Sequence, residues 1–159
     1  MPQPLRKTLA ITALAAGLLA SPLATSHFVE EETLQSYRQS WFAMVAMNFG
    51  PMVSMLKGEM PWDEQRLATW SEQLEQLTAM DISRGFSPGS EQGTTRAKPE
   101  IWENRADFDA KLQDLREASV ALQAAVAGGE RKAIAAAIQD TGKTCKACHD
   151  EYKSDNYLY

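Results

Sequence analysis

A chain of 159 residues, 44% hydrophobic and 23% charged, has the length and composition of one soluble domain with a packed core. Its formal net charge of −5 argues against nucleic acid or anionic lipid as partner, because an acidic surface repels both. Residues 1–26 stand apart from the domain. Arg6 and Lys7 form a basic start, Leu9 to Leu19 is an apolar run short for a bilayer, and small residues follow at Ala20, Ala24 and Ser26. This pattern predicts a cleaved secretory signal peptide rather than a retained membrane anchor, with cleavage near Ala24 or Ser26. Its removal takes two cations and no acid, so the mature domain, 27–159, is more acidic still and is expected to have no membrane contact.

From about Glu30 to Leu56 the apolar spacing is helical, through Leu34, Tyr37, Trp41, Val45, Asn48 and Met52. Glu30, Glu31 and Glu32 sit where the first turn of a helix favours negative charge. Gly50-Pro51 predicts a bend rather than an end, and Gly58 a C-terminal cap. Asp63 is the predicted N-cap of a second helix with a seam of Leu67, Trp70, Leu74 and Leu77. Between Ile82 and Lys98 the periodicity is lost, and Gly85, Pro88, Gly89, Ser90 and Gly93 mark a long loop. Such a loop either covers a functional edge or is a solvated crossover.

Pro99 predicts the start of a third helix, since proline is tolerated in a first turn. Its stripe is Ile101, Arg105, Phe108, Leu112, Leu115, Ser119, Leu122 and Val126, ending at the Gly128-Gly129 turn. Trp41, Trp70 and Trp102 sit in or beside these stripes and read as packing residues. The last helix carries Ile134, Ile138, Thr141, Cys145, Cys148 and Tyr152 on one face. Four amphipathic helices with two short connections and one longer crossover predict an all-α, antiparallel four-helix bundle.

Cys145-Lys146-Ala147-Cys148-His149 contains the only two cysteines of the chain and one of its two histidines. Cys-x-x-Cys-His is the attachment signature of c-type haem: each thiol adds to a vinyl group and the imidazole reaches the iron as axial ligand. Positions i, i+3 and i+4 share one helix face, so a single stretch holds the porphyrin edge and its iron. Two other readings compete. A redox dithiol normally opens a helix in a βαβ context, which this sequence lacks. Half of a zinc site needs about four ligands, and only His27 remains as a histidine. Haem c, one per chain, on the last helix is therefore the expected cofactor. Covalent attachment of this type happens outside the bacterial cytoplasm, so the export signal and the haem motif support each other. Both thiols go to haem, and no disulfide is expected.

These features together resemble the cytochrome c′ family of class II c-type cytochromes. The resemblance spans the mature chain and rests on Tyr37-Arg38-Gln39-Ser40, Lys57-Gly58-Glu59, Phe86-Ser87-Pro88-Gly89-Ser90, Pro99-Glu100-Ile101-Trp102 and Cys145 to Tyr152. It implies a periplasmic homodimer with five-coordinate, high-spin iron, held by His149 with no protein ligand opposite. It further implies binding of nitric oxide and carbon monoxide, a role against nitrosative stress, and Arg38 beside a haem propionate. Relatives often carry arginine four residues after the haem histidine; Lys153 stands there, keeping the charge without the planar fork.

Low-spin relatives place a methionine four residues after the first-helix arginine; here that residue is Phe42, which has no donor atom. Met44 falls roughly 200° further round the helix and should face elsewhere. Phe42, with Val45 and Phe86 as neighbours, predicts an open but crowded iron without a distal hydrogen-bond donor. The alternative is a low-spin-like electron carrier passing electrons between periplasmic redox partners. Enzymatic turnover would need a distal acid–base group, and no histidine is available for it, so the chain is expected not to be an enzyme. Exposed apolar residues of the first two helices, such as Met44 or Met55, are candidates for the dimer contact.

Overall fold

The structure, a computed structural model, describes residues 32–157. The signal-peptide reading, His27, Glu30 and Glu31 lie outside the described residues. Five helices follow in order: α1 Thr33–Lys57, α2 Glu64–Ala79, α3 Glu100–Glu103, α4 Arg105–Gly128 and α5 Arg131–Tyr152, with a 3₁₀ turn over Ser83–Phe86 between α2 and α3. The long helices α1, α2, α4 and α5 form a four-helix bundle. In it α4 packs extensively on α2 and α5, α1 packs on α2, and α1 approaches α5 much less.

Local chemistry sets the helix ends. Gly58 and Gly129 close α1 and α4 with φ of 77° and 72°, a left-handed conformation that a Cβ would strain. Asp63 caps α2 by accepting from the Arg66 N–H, and the Glu130 carboxylate caps α5 by accepting from the N–H groups of Lys132 and Ala133. Pro51 lies within α1, which runs on past it. Between the helices Met52, Leu67, Leu74, Phe108, Leu122, Ile134 and Ile138 are buried, each contributing about 1.5–3 kcal/mol by leaving water. Thr78 and Ser119 satisfy one another's hydroxyls inside the α2–α4 contact.

Several expectations are corrected. The third helix is not continuous from Pro99: Asn104, at φ −116° and ψ 45°, separates α3 from α4. The bend is held from outside the helix, because Arg105 donates to the carbonyls of Ser83 and Phe86 while Trp102 Nε1 donates to Ser87 O. Glu32 does not serve the first turn of α1; its carboxylate accepts the Thr94 N–H at 2.7 Å. On α1 the buried face includes Gln35 and Arg38, whereas Leu34 and Asn48 are only half-buried. Met55 is 2% exposed and belongs to the core, so of the two methionines expected at a dimer contact only Met44 is on the surface, joined there by Met47.

Candidate functional site

The last three turns of α5 carry the pentapeptide. The helical spacing puts Cys145, Cys148 and Tyr152 on the face that Ile134, Ile138 and Thr141 continue into the core. Both thiols are free and half-buried. Burial pushes both thiols upward, Cys148 to about 11, leaving them as protonated thiols. A catalytic dithiol needs a depressed pKa, so this environment opposes the redox reading. Among the described residues no group of three or more histidines, cysteines or carboxylates is placed to hold a metal ion, which opposes the zinc reading.

Where α1 and α5 draw apart, a cavity of about 530 Å³ opens, within the range of ligand and cofactor sites. All seven residues singled out from the sequence line it: Arg38, Phe42 and Val45 from α1, Phe86 from the 3₁₀ turn, and Cys145, Cys148 and His149 from α5. The α1 wall between Phe42 and Phe49 is hydrocarbon, supplied by Phe42, Ala43, Val45, Ala46 and Phe49. Phe42 is half-buried and stands edge-on to Trp41, ring centroids 4.8 Å apart. The methionines of α1 are all elsewhere. Met44 and Met47 are 45% and 74% exposed, and Met52 and Met55 are buried in the core away from the cavity.

The cavity also suits the charge of a haem. Among the described residues Arg38, Arg96, Lys111 and Lys153 line it and no carboxylate does, in a chain whose net charge is −5. An apolar slot with two thiols and an imidazole on one wall, and cations without acids around it, fits a flat macrocycle carrying two carboxylates. Phe49 was not anticipated, although it lies seven residues after Phe42 on the same helix face. Arg96 and Lys111 gave no signal in the sequence, because isolated cations read as solvated surface.

Arg38 is no solvated cation. It is 2% exposed, and each terminal nitrogen makes two hydrogen bonds: Nη1 to Gly85 O and Ser90 Oγ, Nη2 to Ser90 O and Thr95 Oγ1. Its guanidinium also lies over the rings of Phe86 and Trp102, at 5.2 and 5.7 Å. Among the described residues no carboxylate forms an ion pair with it, and burial pulls its pKa down to about 10 despite Glu91 in the vicinity. A buried cation without an anion partner, on the wall of a cavity, is suited to a carboxylate placed inside that cavity.

The long loop is therefore a strap across the site. Gln35 and Gln39 of α1 donate to Gln92 O and Thr94 O beside the Arg38 contacts. Further along, Ala97 pairs with Lys153 as a β-bridge, Lys98 Nζ donates to the carbonyls of Asp150 and Glu151, and Arg96 donates to those of Ser154 and Asp155. Thr95, Arg96 and Ala97 line the cavity from this strap. His149 is exposed and lines the cavity. Burial of the ring, then the cations Lys153 and Arg96, pull its pKa down, with Asp150 opposing. That favours the neutral imidazole which a metal ligand must be.

The sequence model of the family described as cytochrome c′ matches residues 33–153. The cytochrome c′ of Cereibacter sphaeroides is 37% identical over 143 residues, covering 88% of this chain and 95% of its own. The solved cytochrome c prime from Shewanella frigidimarina has a TM-score of 0.75 at 38% identity, over 80% of this chain and 99% of that one. A cytochrome c prime variant from Alcaligenes xylosoxidans, solved as its nitric oxide complex, has a TM-score of 0.72 at 37% identity, over 81% and 99% of the two chains. Family match, bundle and cysteine-bearing cavity agree, and this chain belongs to the cytochrome c′ family, carrying its covalent haem c on Cys145 and Cys148.

Proposed function

We propose that this chain is an exported, periplasmic haem protein that captures nitric oxide, and also binds carbon monoxide, at an iron held by His149 alone. The observation that carries this reading is the hydrocarbon wall of α1. From Phe42 to Phe49 no cavity-lining side chain has an atom able to ligate iron, and among the described residues no methionine lines the cavity. When bound, haem c supplies an iron centre with affinity for diatomic ligands. The chain's own residues then decide which ligands are favoured. Phe42 and Val45 exclude water and leave little room, and they offer no hydrogen bond. Dioxygen as a ligand depends on such a donor far more than nitric oxide or carbon monoxide does. The nitric oxide complex of the Alcaligenes xylosoxidans relative supports the same choice.

Arg38, Arg96 and the neighbouring lysines hold the propionates in this reading, and the strap keeps the α1 and α5 walls in register. From Phe42 to Phe49 no cavity-lining side chain of α1 can donate or accept a proton, which supports a binding protein over an enzyme. The family resemblance favours a homodimer, and the exposed Met44 and Met47 of α1 offer an apolar contact for it. Electron transfer remains the second reading, and the same α1 wall disfavours it, because a sixth ligand from the protein would ease electron exchange. The test is a titration of the reduced, haem-loaded protein with each gas in turn. Saturable binding of nitric oxide and carbon monoxide, with oxygen producing only oxidation, is expected; a stable oxygen adduct contradicts the reading.

A further inference from the structure

A histidine that ligates a metal ordinarily has its other ring nitrogen held by a carboxylate, a carbonyl or water, which fixes how the ring meets the metal. Among the described residues none hydrogen-bonds the His149 ring. Its direction follows the helical turn that carries it, and that turn is fastened on two sides: by the strap, where Lys98 donates to the carbonyls of Asp150, Glu151 and Tyr152, and from inside the bundle by Tyr152. Tyr152, the last residue of α5, is 5% exposed, and its ring stands edge-on to Phe108 with centroids 5.4 Å apart. Its hydroxyl donates to Asp107 Oδ2 at 2.6 Å, a short bond to a charged acceptor. The same carboxylate oxygen lies 3.6 Å from Lys111 Nζ, which holds Asp107 in place one turn along α4. The two helices thus meet through residues spaced so that each pair shares a face: Asp107 with Lys111, and Cys148 with Tyr152.

We infer that Tyr152, through its hydrogen bond to Asp107, is a positioning residue for His149: it fixes the rotation of the last turn of α5 on α4, and with it the direction in which the imidazole meets the iron. The inference rests on His149 as the axial ligand of an open iron. Packing alone does not demand the hydroxyl, since a phenylalanine would keep the same edge-on contact with Phe108. What the hydroxyl adds is direction, because a ring against a ring slides and rotates while a hydrogen bond to a fixed carboxylate does not.

The test is resonance Raman spectroscopy of the reduced, haem-loaded protein, reading the iron–histidine stretch. Tyr152→Phe and Asp107→Ala are expected to lower and broaden that band alike, and the double variant to add nothing further. Asp107→Asn, whose amide oxygen still accepts from the phenol, is expected to stay near the parent. Glu130→Ala removes the cap at the far end of α5, and is expected to lower the melting temperature without moving the band. A parent-like band in Tyr152→Phe overturns the inference and leaves Tyr152 a packing residue. An Asp107→Asn band displaced as far as that of Asp107→Ala overturns it in favour of the charge of Asp107. Absence of the band from the parent itself overturns the reading of His149 and the open iron on which the inference rests.

Discussion

Phe42→Met is expected to close the iron and lower its carbon monoxide affinity by about 100-fold, the loss that follows if the thioether occupies the iron about 99% of the time. The site supports so large an effect from one residue because nothing else on the α1 wall competes. Ala43, Val45, Ala46 and Phe49 cannot ligate, and the native methionines face outward or into the core. Methionine fills nearly the volume of phenylalanine and bends into irregular space, so the fold itself loses less than about 1.5 kcal/mol. The edge-on contact of Phe42 with Trp41 is the main packing forfeited. Absorption spectra of the reduced variant with and without carbon monoxide, and a carbon monoxide titration, measure the effect. An unchanged affinity would mean that Phe42 does not face the iron.

Arg38→Ala is expected to destabilise the folded chain by about 3–5 kcal/mol, the range for deleting a buried, multiply bonded charged group. Four hydrogen bonds vanish together, leaving the buried acceptors at Gly85, Ser90 and Thr95 without their donor. The damage spreads along the strap, since Ser90 and Thr95 hold the segment that continues to Arg96, Ala97 and the end of α5. Arg38→Lys is expected to recover only part of the loss. An ammonium has three donors without the planar fork, and it cannot span Gly85 O and Thr95 Oγ1 at once. Urea unfolding followed by far-ultraviolet circular dichroism gives the stability, and amide exchange across residues 85–98 locates the opening. Equal stability of the parent and Arg38→Ala would remove the strap from this account.

What was legible in the sequence follows from periodicity and from one rigid motif. The four long helices and the caps at Gly58, Asp63 and Gly129 are local features, written in residues a few positions apart. The pentapeptide specifies its own geometry, because attachment needs two thiols and an imidazole on one face. Tertiary contacts were not legible. Arg38 is buried because Gly85, Ser90 and Thr95 come to it from about 50 residues away, and a cation on a helix otherwise reads as solvated. The kink at Asn104 depends on Arg105 reaching Ser83 and Phe86, which no spacing within the third helix reveals. The Tyr152–Asp107 bond joins residues 45 positions apart in the chain. Met55 was misplaced although it lies three residues after Met52: the stripe that buries Met52 continues across Pro51 to it.

The central claim, that the α1 wall leaves the iron without a sixth protein ligand, is tested most directly by the absorption spectrum of the purified mature protein reduced under anaerobic conditions. The account predicts a broad, high-spin ferrous Soret band that sharpens and intensifies when carbon monoxide is added. Narrow, split α and β bands that carbon monoxide does not alter would show that a side chain of the protein reaches the iron. That result would contradict gas capture and put electron transfer in its place.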